Sequence, residues 1–320
     1  MSTAPTEASR TGAAPILVVG SVALDSIETP FETREDVLGG AAVHFSAAAS
    51  LFTEVRLVAV VGRDFPLDAL DILRRRGVDL EGLEIVDGQS FRWRGRYHLD
   101  MNHRDTLDLQ LGVFSDFHPK LPQTYLDSEV VFLANTDPDL QLRVLDQAGA
   151  ARLTACDTID HWINEKRGAI DQLFSRVDIV FLNEDEARLY ADTPNLQKAA
   201  AAILARGCRA VLIKKGENGA LVVSQNPEGG RETFVSVAYP LEDVVDPTGA
   251  GDAFAGGVMG ALASTRDFDL GGLRRAVVTG AVLASFNVEG FGPHGLEPVT
   301  RDDVAARLET VREIVSWGDR

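Results

Sequence analysis

The segment Val244-Val245-Asp246-Pro247-Thr248-Gly249-Ala250-Gly251-Asp252-Ala253-Phe254 carries the strongest chemical signal of the chain, and small and apolar residues continue it in a helical pattern. A Gly-Ala-Gly turn leaves backbone N–H groups uncovered at the positive end of a helix, an arrangement that suits an anion. Asp252 falls in the first turn of that helix, where it would repel a phosphate held by the same N–H groups unless both act on one reacting hydroxyl. Phosphoryl transfer with Asp252 as general base accounts for the pairing. Taken alone, such an aspartate is better read as an N-terminal helix carboxylate that stabilises the macrodipole. A dinucleotide-binding turn is excluded, because its third glycine would fall on Phe254.

Other residues of suitable type lie at the ends of apolar runs. Asp25 follows the run Ile16-Leu17-Val18-Val19-Gly20, at the edge where open α/β sheets bind ligands, and a carboxylate there can accept two hydroxyl hydrogen bonds from a polyol. It could also cap a turn. Gly39-Gly40 opens an alanine-rich helical stretch, Ala41 to Phe52, and exposes backbone amides beside the strand layer. Asn183-Glu184-Asp185-Glu186 follows the apolar run Val177 to Leu182, and its acids suit either a helix dipole or a hard-oxygen magnesium site. Lys214-Lys215-Gly216-Glu217-Asn218-Gly219 joins two apolar runs, as a hairpin or as a loop letting backbone approach a ligand.

The string from Asp246 to Asp252 strongly resembles the nucleotide-site signature of the ribokinase-like (PfkB) small-molecule kinases, with Pro247 where threonine is commoner. The resemblance runs in order from about Ile16 to Pro298. It implies an ATP-dependent kinase acting on a hydroxyl of a small neutral polyhydroxylated acceptor, a sugar first and a nucleoside as the alternative. A catalytically silent sugar- or nucleotide-binding regulator is the rival from another class. The implied roles place Asp252 as base and Gly249, Ala250 and Gly251 as donors to the developing charge. Asp25, Gly39, Gly40, His44 and Trp93 fall to the acceptor. Asn183, Lys214, Gly216, Gly219, Thr248 and Asn287 fall to the nucleotide, Glu186 to Mg²⁺ through water, and Asp246 to a monovalent cation such as K⁺. The family carries an asparagine three residues after its paired glycines; the same count here gives Val43, with His44 next.

The elements that must position these residues follow from periodicity. Short apolar runs at Ile16 to Gly20, Arg56 to Val61, Val130 to Ala134, Arg152 to Cys156, Val177 to Leu182 and Ala210 to Ile213 alternate with helical patterns such as Pro66 to Arg76 and Leu140 to Gln147. That alternation predicts an α/β fold, a doubly wound, mostly parallel sheet with helices on both faces. Two stretches interrupt it. Phe91, Trp93 and Tyr97 alternate with Arg92, Arg94, Arg96 and His98, and Leu107 to Val113 alternates in turn, predicting a hairpin. The resemblance implies that with Leu24 to Glu35 it forms a small β-sheet lid, built from segments about 22–37 and 88–114 within a kinase domain of residues 15–320. The aromatic face is expected inward, with Trp93 or Tyr97 over a neutral acceptor and the arginines in solvent. Arg301 to Val315 reads as a final helix.

Bulk composition narrows the partners. A formal net charge of −17 over 320 residues argues against nucleic acid or an anionic membrane. Cys156 and Cys208, the only cysteines, lack metal-ligand spacing, and a reducing cytoplasm fits. Residues 1–14 read as a disordered tail without a signal core. A homodimer through the lid is a further expectation from the resemblance.

Overall fold

The computed structural model describes residues 12–226 and 228–316. The expected N-terminal tail therefore lies almost wholly outside the described residues. At its end Ala14 is already buried, with its N–H on the Ala263 carbonyl and its own carbonyl accepting from Thr53 Oγ1.

Among the described residues, thirteen strands are distributed between two sheets. In chain order they are β1 (Ile16–Val19), β2 (Ala23–Glu28), β3 (Thr33–Gly39), β4 (Val55–Gly62), β5 (Asp79–Val86), β6 (Phe91–Tyr97) and β7 (Arg104–Gln110), then β8 (Val130–Leu133), β9 (Leu153–Asp157), β10 (Ile179–Asn183), β11 (Ala210–Lys214), β12 (Ala220–Gln225) and β13 (Arg231–Ser236). Nine form the main sheet in the order β13-β12-β11-β10-β9-β8-β1-β4-β5. It is parallel from β5 to β11 and antiparallel at β12 and β13. The central strands are buried throughout, Val130–Leu133 and Ile16–Val19 at every residue, as expected where helices cover both faces. Two apolar clusters, one on each face, form the core.

The sequence reading missed the two edges of this sheet. The segment Asp79–Val86 is mostly polar or exposed, and Arg231–Ser236 alternates with weak contrast, so neither reads as a buried strand. Edge strands bury one face at most, which removes the apolar run that marks the interior ones.

The remaining four strands make the small sheet, order β3-β2-β6-β7. The expected aromatic hairpin is present, with β6 antiparallel to β7. Its second strand begins three residues earlier than the Leu107 to Val113 alternation suggests and is exposed at every position. Leucines with no core to face cannot fix the ends of a strand. Leu111 instead leads into a short 3₁₀ turn at Gly112–Asp116.

Candidate active site

The turn expected to hold an anion sits at the start of the helix Ala250–Thr265, with Gly249 as its N-cap at φ 73°. The sequence folds this way because glycine reaches the left-handed region without strain. Gly251 and Asp252 occupy the first helical turn, whose N–H groups have no acceptor four residues back. The Ala250 N–H is directed to the Pro247 carbonyl at 3.2 Å, so of the three expected donors it is partly committed.

The approach to the turn is tied down by its neighbours. Asp246 is fully buried; its Oδ1 accepts from the Thr248 N–H at 2.8 Å and its Oδ2 from the Gly292 N–H at 3.0 Å. The Val245 and Asp246 N–H groups both reach the Val288 carbonyl. Thr248 Oγ1 lies 3.1 Å from the Tyr97 hydroxyl, which brings the lid onto the turn.

Asp252 is surrounded by charge. Burial pushes its carboxyl up to about 7, Asp157 adds to the rise, and Lys214 and Arg104 oppose it. Asp25, 5% exposed, is likewise pushed to about 7 by burial and by Asp246 and Asp252, with the Gly40 N–H holding it back. Asp25 lies in strand β2 of the lid rather than in a loop after β1. Its carboxylate fills the space a side chain on Gly39 would need: a Cβ there would fall 1.9 Å from Oδ2.

The paired glycines thus act differently from the sequence expectation of exposed amides. The Gly40 N–H serves Asp25, and the Ala41 and Ala42 N–H groups are taken by Ser21 Oγ and the Ser21 carbonyl at 3.0 and 3.1 Å. Gly39-Gly40 therefore seats the aspartate; the amides of the helix start are occupied. His44 also departs from expectation. It is 1% exposed, with Nδ1 on Asn287 Oδ1 at 2.8 Å, beneath the anion turn instead of open to the acceptor. Asn287, expected at the nucleotide, is fully buried and donates to the Thr248 carbonyl at 2.9 Å.

On the nucleotide side Asn183 and Glu186 form a reciprocal cap of the helix Glu184–Ala191. Asn183 Oδ1 accepts from the Glu186 N–H at 2.8 Å and Glu186 Oε2 from the Asn183 N–H at 2.7 Å. The spacing that suggested a metal network is first of all a capping box, which leaves Glu186 Oε1 outside the cap. Burial pushes Glu186 to about 8, with Asp157 adding to the rise and Lys214 opposing it. Lys214 is no solvated lysine: it donates to Asp157 Oδ2 at 2.6 Å and lies against Gly251. Gly216 (φ 53°) and Gly219 (φ 77°) shape the loop after β11, and a Cβ at Gly219 would fall 2.0 Å from the Ser236 carbonyl.

Two residues of the site escaped the sequence reading. Asp157 ends β9, one residue past the apolar run, at the same sheet edge that drew attention to Asp25; the edge rule applied to every strand would have found it. Arg104 opens β7, its guanidinium 6.0 Å from the Trp93 ring, and its charge acts on Asp252, Glu186 and Tyr97. No local pattern distinguishes it from the three other arginines of the β6–β7 hairpin. Those three pair within the lid and its margin: Arg94 and Arg96 with Glu28, and Arg92 with Asp36 and Asp64.

Taken together, a helix-start anion turn, a buried carboxylate beside it, a lysine and an arginine whose charges act on that carboxylate, and a carboxylate-bearing lid suit a phosphotransferase for a small hydroxyl compound. The pfkB family carbohydrate kinase model matches residues 13–298, and the chain belongs to this family. The chain is 30% identical to a cytidine kinase of Thermococcus kodakarensis over 257 residues, 79% of this chain and 90% of that protein. In fold it is similar to the Burkholderia thailandensis nucleoside kinase in complex with inosine, with TM-score 0.76, 22% identity, and coverage of 92% of this chain and 98% of that one. It is equally similar to a putative ribokinase II from E. coli in complex with ATP and Mg²⁺, with TM-score 0.76, 20% identity, and coverage of 93% and 99%. The chain is thus a small-molecule kinase whose acceptor is a sugar or a nucleoside. Among the described residues no helix is long and apolar enough to cross a membrane.

Proposed function

We propose that the acceptor is a nucleoside rather than a free sugar. One observation carries this: strand registry sets Val37, Asp25, Trp93 and Leu109 side by side across the four strands of the lid. Residues in register on neighbouring strands share a face. The row therefore presents one carboxylate flanked by an aromatic ring and two aliphatic side chains. A ribose offers vicinal hydroxyls to Asp25, and a flat base offers an apolar face to Trp93. A free sugar has hydroxyls all round and would leave such a row with polar groups to desolvate. The nucleoside and cytidine kinases among the similar proteins support the same choice.

With the diol on Asp25, the hydroxyl remote from it is the one left to reach Asp252, which takes its proton as the phosphoryl group arrives on the anion turn. Lys214 and Arg104 offset the charge of the phosphates. Mg²⁺ fits this reading as a partner of ATP: no group of three acids, histidines or cysteines among the described residues would hold a metal unaided, and Glu186, whose Oε1 takes no part in the cap, would hold it through water. Mg²⁺ would supply charge neutralisation there. Potassium fits less directly, since both oxygens of Asp246 already accept backbone N–H groups.

An ATP-consumption assay over inosine, cytidine, adenosine, ribose and fructose tests the reading. At least one nucleoside should exceed ribose in kcat/KM by roughly tenfold or more, the value of about 1.4 kcal/mol of base contact. Turnover of a free sugar with none of any nucleoside would overturn it.

A further inference from the structure

The anion turn is supported from beneath by a pair of side chains that neither the proton transfer nor the acceptor row uses. His44 lies in the helix Ala41–Ala49 and Asn287 ends the helix Leu270–Asn287; both are buried. Asn287 Nδ2 donates to the Thr248 carbonyl at 2.9 Å. A carbonyl can only accept, so this bond fixes the orientation of the amide and turns Oδ1 toward the imidazole. His44 Nδ1, 2.8 Å from that oxygen, must then carry the ring proton. Nε2 is left as a bare acceptor, buried and without a partner among the described residues. Burial also keeps the ring neutral, holding its pKa down at about 4.

The same ring closes one side of the turn. A Cβ on Gly249 would fall 2.2 Å from His44 Cγ and Nδ1, so the glycine backbone lies flat on the imidazole. The Thr248 carbonyl and the Gly249 N–H belong to one planar trans peptide and point in opposite directions. Anchoring the carbonyl on Asn287 therefore aims the N–H away from Asn287.

We propose that His44 is a positioning residue for phosphoryl transfer: as the Nδ1-protonated tautomer it orients Asn287, and the two together clamp the Thr248–Gly249 peptide so that the turn's N–H groups face the reacting phosphoryl group. Preorganised donors of this kind matter only as charge develops, so the clamp acts on the chemical step and leaves ground-state binding unchanged. The proposal rests on phosphoryl transfer at Asp252 and is independent of the acceptor's identity.

Two measurements test it. In ¹⁵N-histidine-labelled full-length protein, two-bond ¹H–¹⁵N correlations at neutral pH, with His44 assigned by its loss in His44→Asn, should show the Nδ1–H tautomer; an Nε2–H tautomer overturns the proposal. This readout needs no turnover, so a wrong acceptor cannot be mistaken for a wrong clamp. In kinetics with inosine, or with ribose if only sugars are turned over, His44→Leu should lower kcat by roughly 10–10³-fold, the range of a misdirected oxyanion donor. KM for ATP and for the acceptor should stay within about threefold, the mark of an interaction used in the transition state. His44→Asn, whose amide can donate to Asn287 in place of Nδ1, should recover most of kcat. A rise in acceptor KM with kcat kept would make His44 an acceptor contact, and equal losses in the Leu and Asn variants would remove the hydrogen bond from the argument. If His44→Leu does not fold, Asn287→Ala must show the same kcat loss without a KM change, and an unchanged kcat overturns the proposal.

Discussion

Lys214 Nζ lies 2.6 Å from Asp157 Oδ2, and the pair sits against the anion turn with side-chain exposures of 17% and 5%. A Cβ on Gly251 would fall 3.0 Å from the same ammonium. Burial pushes the Lys214 pKa down, but Asp157, Glu186 and Asp252 outweigh it and raise it overall. The lysine is therefore a fixed cation between carboxylates and the site of the incoming phosphate, held in place by Asp157 before any nucleotide binds.

Removing Asp157 should be visible in the pH profile. Asp252 works as a base only when ionised, and its carboxyl is raised to about 7 by burial and by Asp157. The acid limb of kcat/KM is expected near that pH in the wild type, because this parameter reports the free enzyme. In Asp157→Asn a repelling charge is lost and Lys214 is freed toward Asp252; both changes favour the carboxylate, so the midpoint should move to lower pH. A midpoint that stays put, or rises, contradicts the coupling.

The base itself is tested by Asp252→Asn. This variant should keep ATP and acceptor binding and lose roughly 10²–10⁴-fold in kcat, the range of a positioned general base. Turnover within a few-fold of the wild type on the best acceptor would assign Asp252 to helix-dipole stabilisation instead, and would revive the reading of a scaffold whose carboxylate is not catalytic.

The lid makes a contrast between neighbours on one strand. Trp93 shares a face with Asp25, and its Nε1 donates to Thr106 Oγ1 at 3.2 Å, whereas Arg94 is exposed and pairs with Glu28. Trp93→Ala should raise the acceptor KM by at least roughly tenfold, as expected for one buried aromatic contact. Arg94→Ala, which loses a surface ion pair, should change it little. The reverse ranking would point to an anionic acceptor.

Stability should fall as pH rises. Asp25 and Asp252 are raised from 3.8 to about 7 and Glu186 from 4.5 to about 8, chiefly by burial. Each folded-state value lies above the unfolded one, so the folded protein binds protons more tightly. Their contribution is complete below about pH 4 and is lost as pH climbs through about 7 to 8. Thermal melts of the ligand-free protein between pH 5 and 8.5 should show a falling Tm, with a shallower slope in Asp25→Asn. A slope unchanged by that substitution would show that Asp25 is not strained as its burial requires.

Much of this arrangement is legible in the chain itself. The anion turn is local: its conformation is set by glycine's access to left-handed φ and by the helix that follows, so Gly249 to Asp252 declare their chemistry in order. The interior strands announce themselves because burial on both faces demands an unbroken apolar run, and the lid hairpin because one of its faces is aromatic. The tertiary structure alone decided the partners that span the chain. Asp157 and Lys214 are 57 residues apart, and His44 and Asn287 are 243 apart. A residue type at one position says nothing about which distant side chain will desolvate it or take its proton. For the same reason Asn183 and Glu186 carry a local signal, the capping box, whereas the charge that Lys214 and Asp157 place on Glu186 depends on three parallel strands, β9, β10 and β11, ending at one edge. Arg104 is the sharpest case: the four arginines of the β6–β7 hairpin are alike in sequence, and only strand registry turns this one toward the carboxylates.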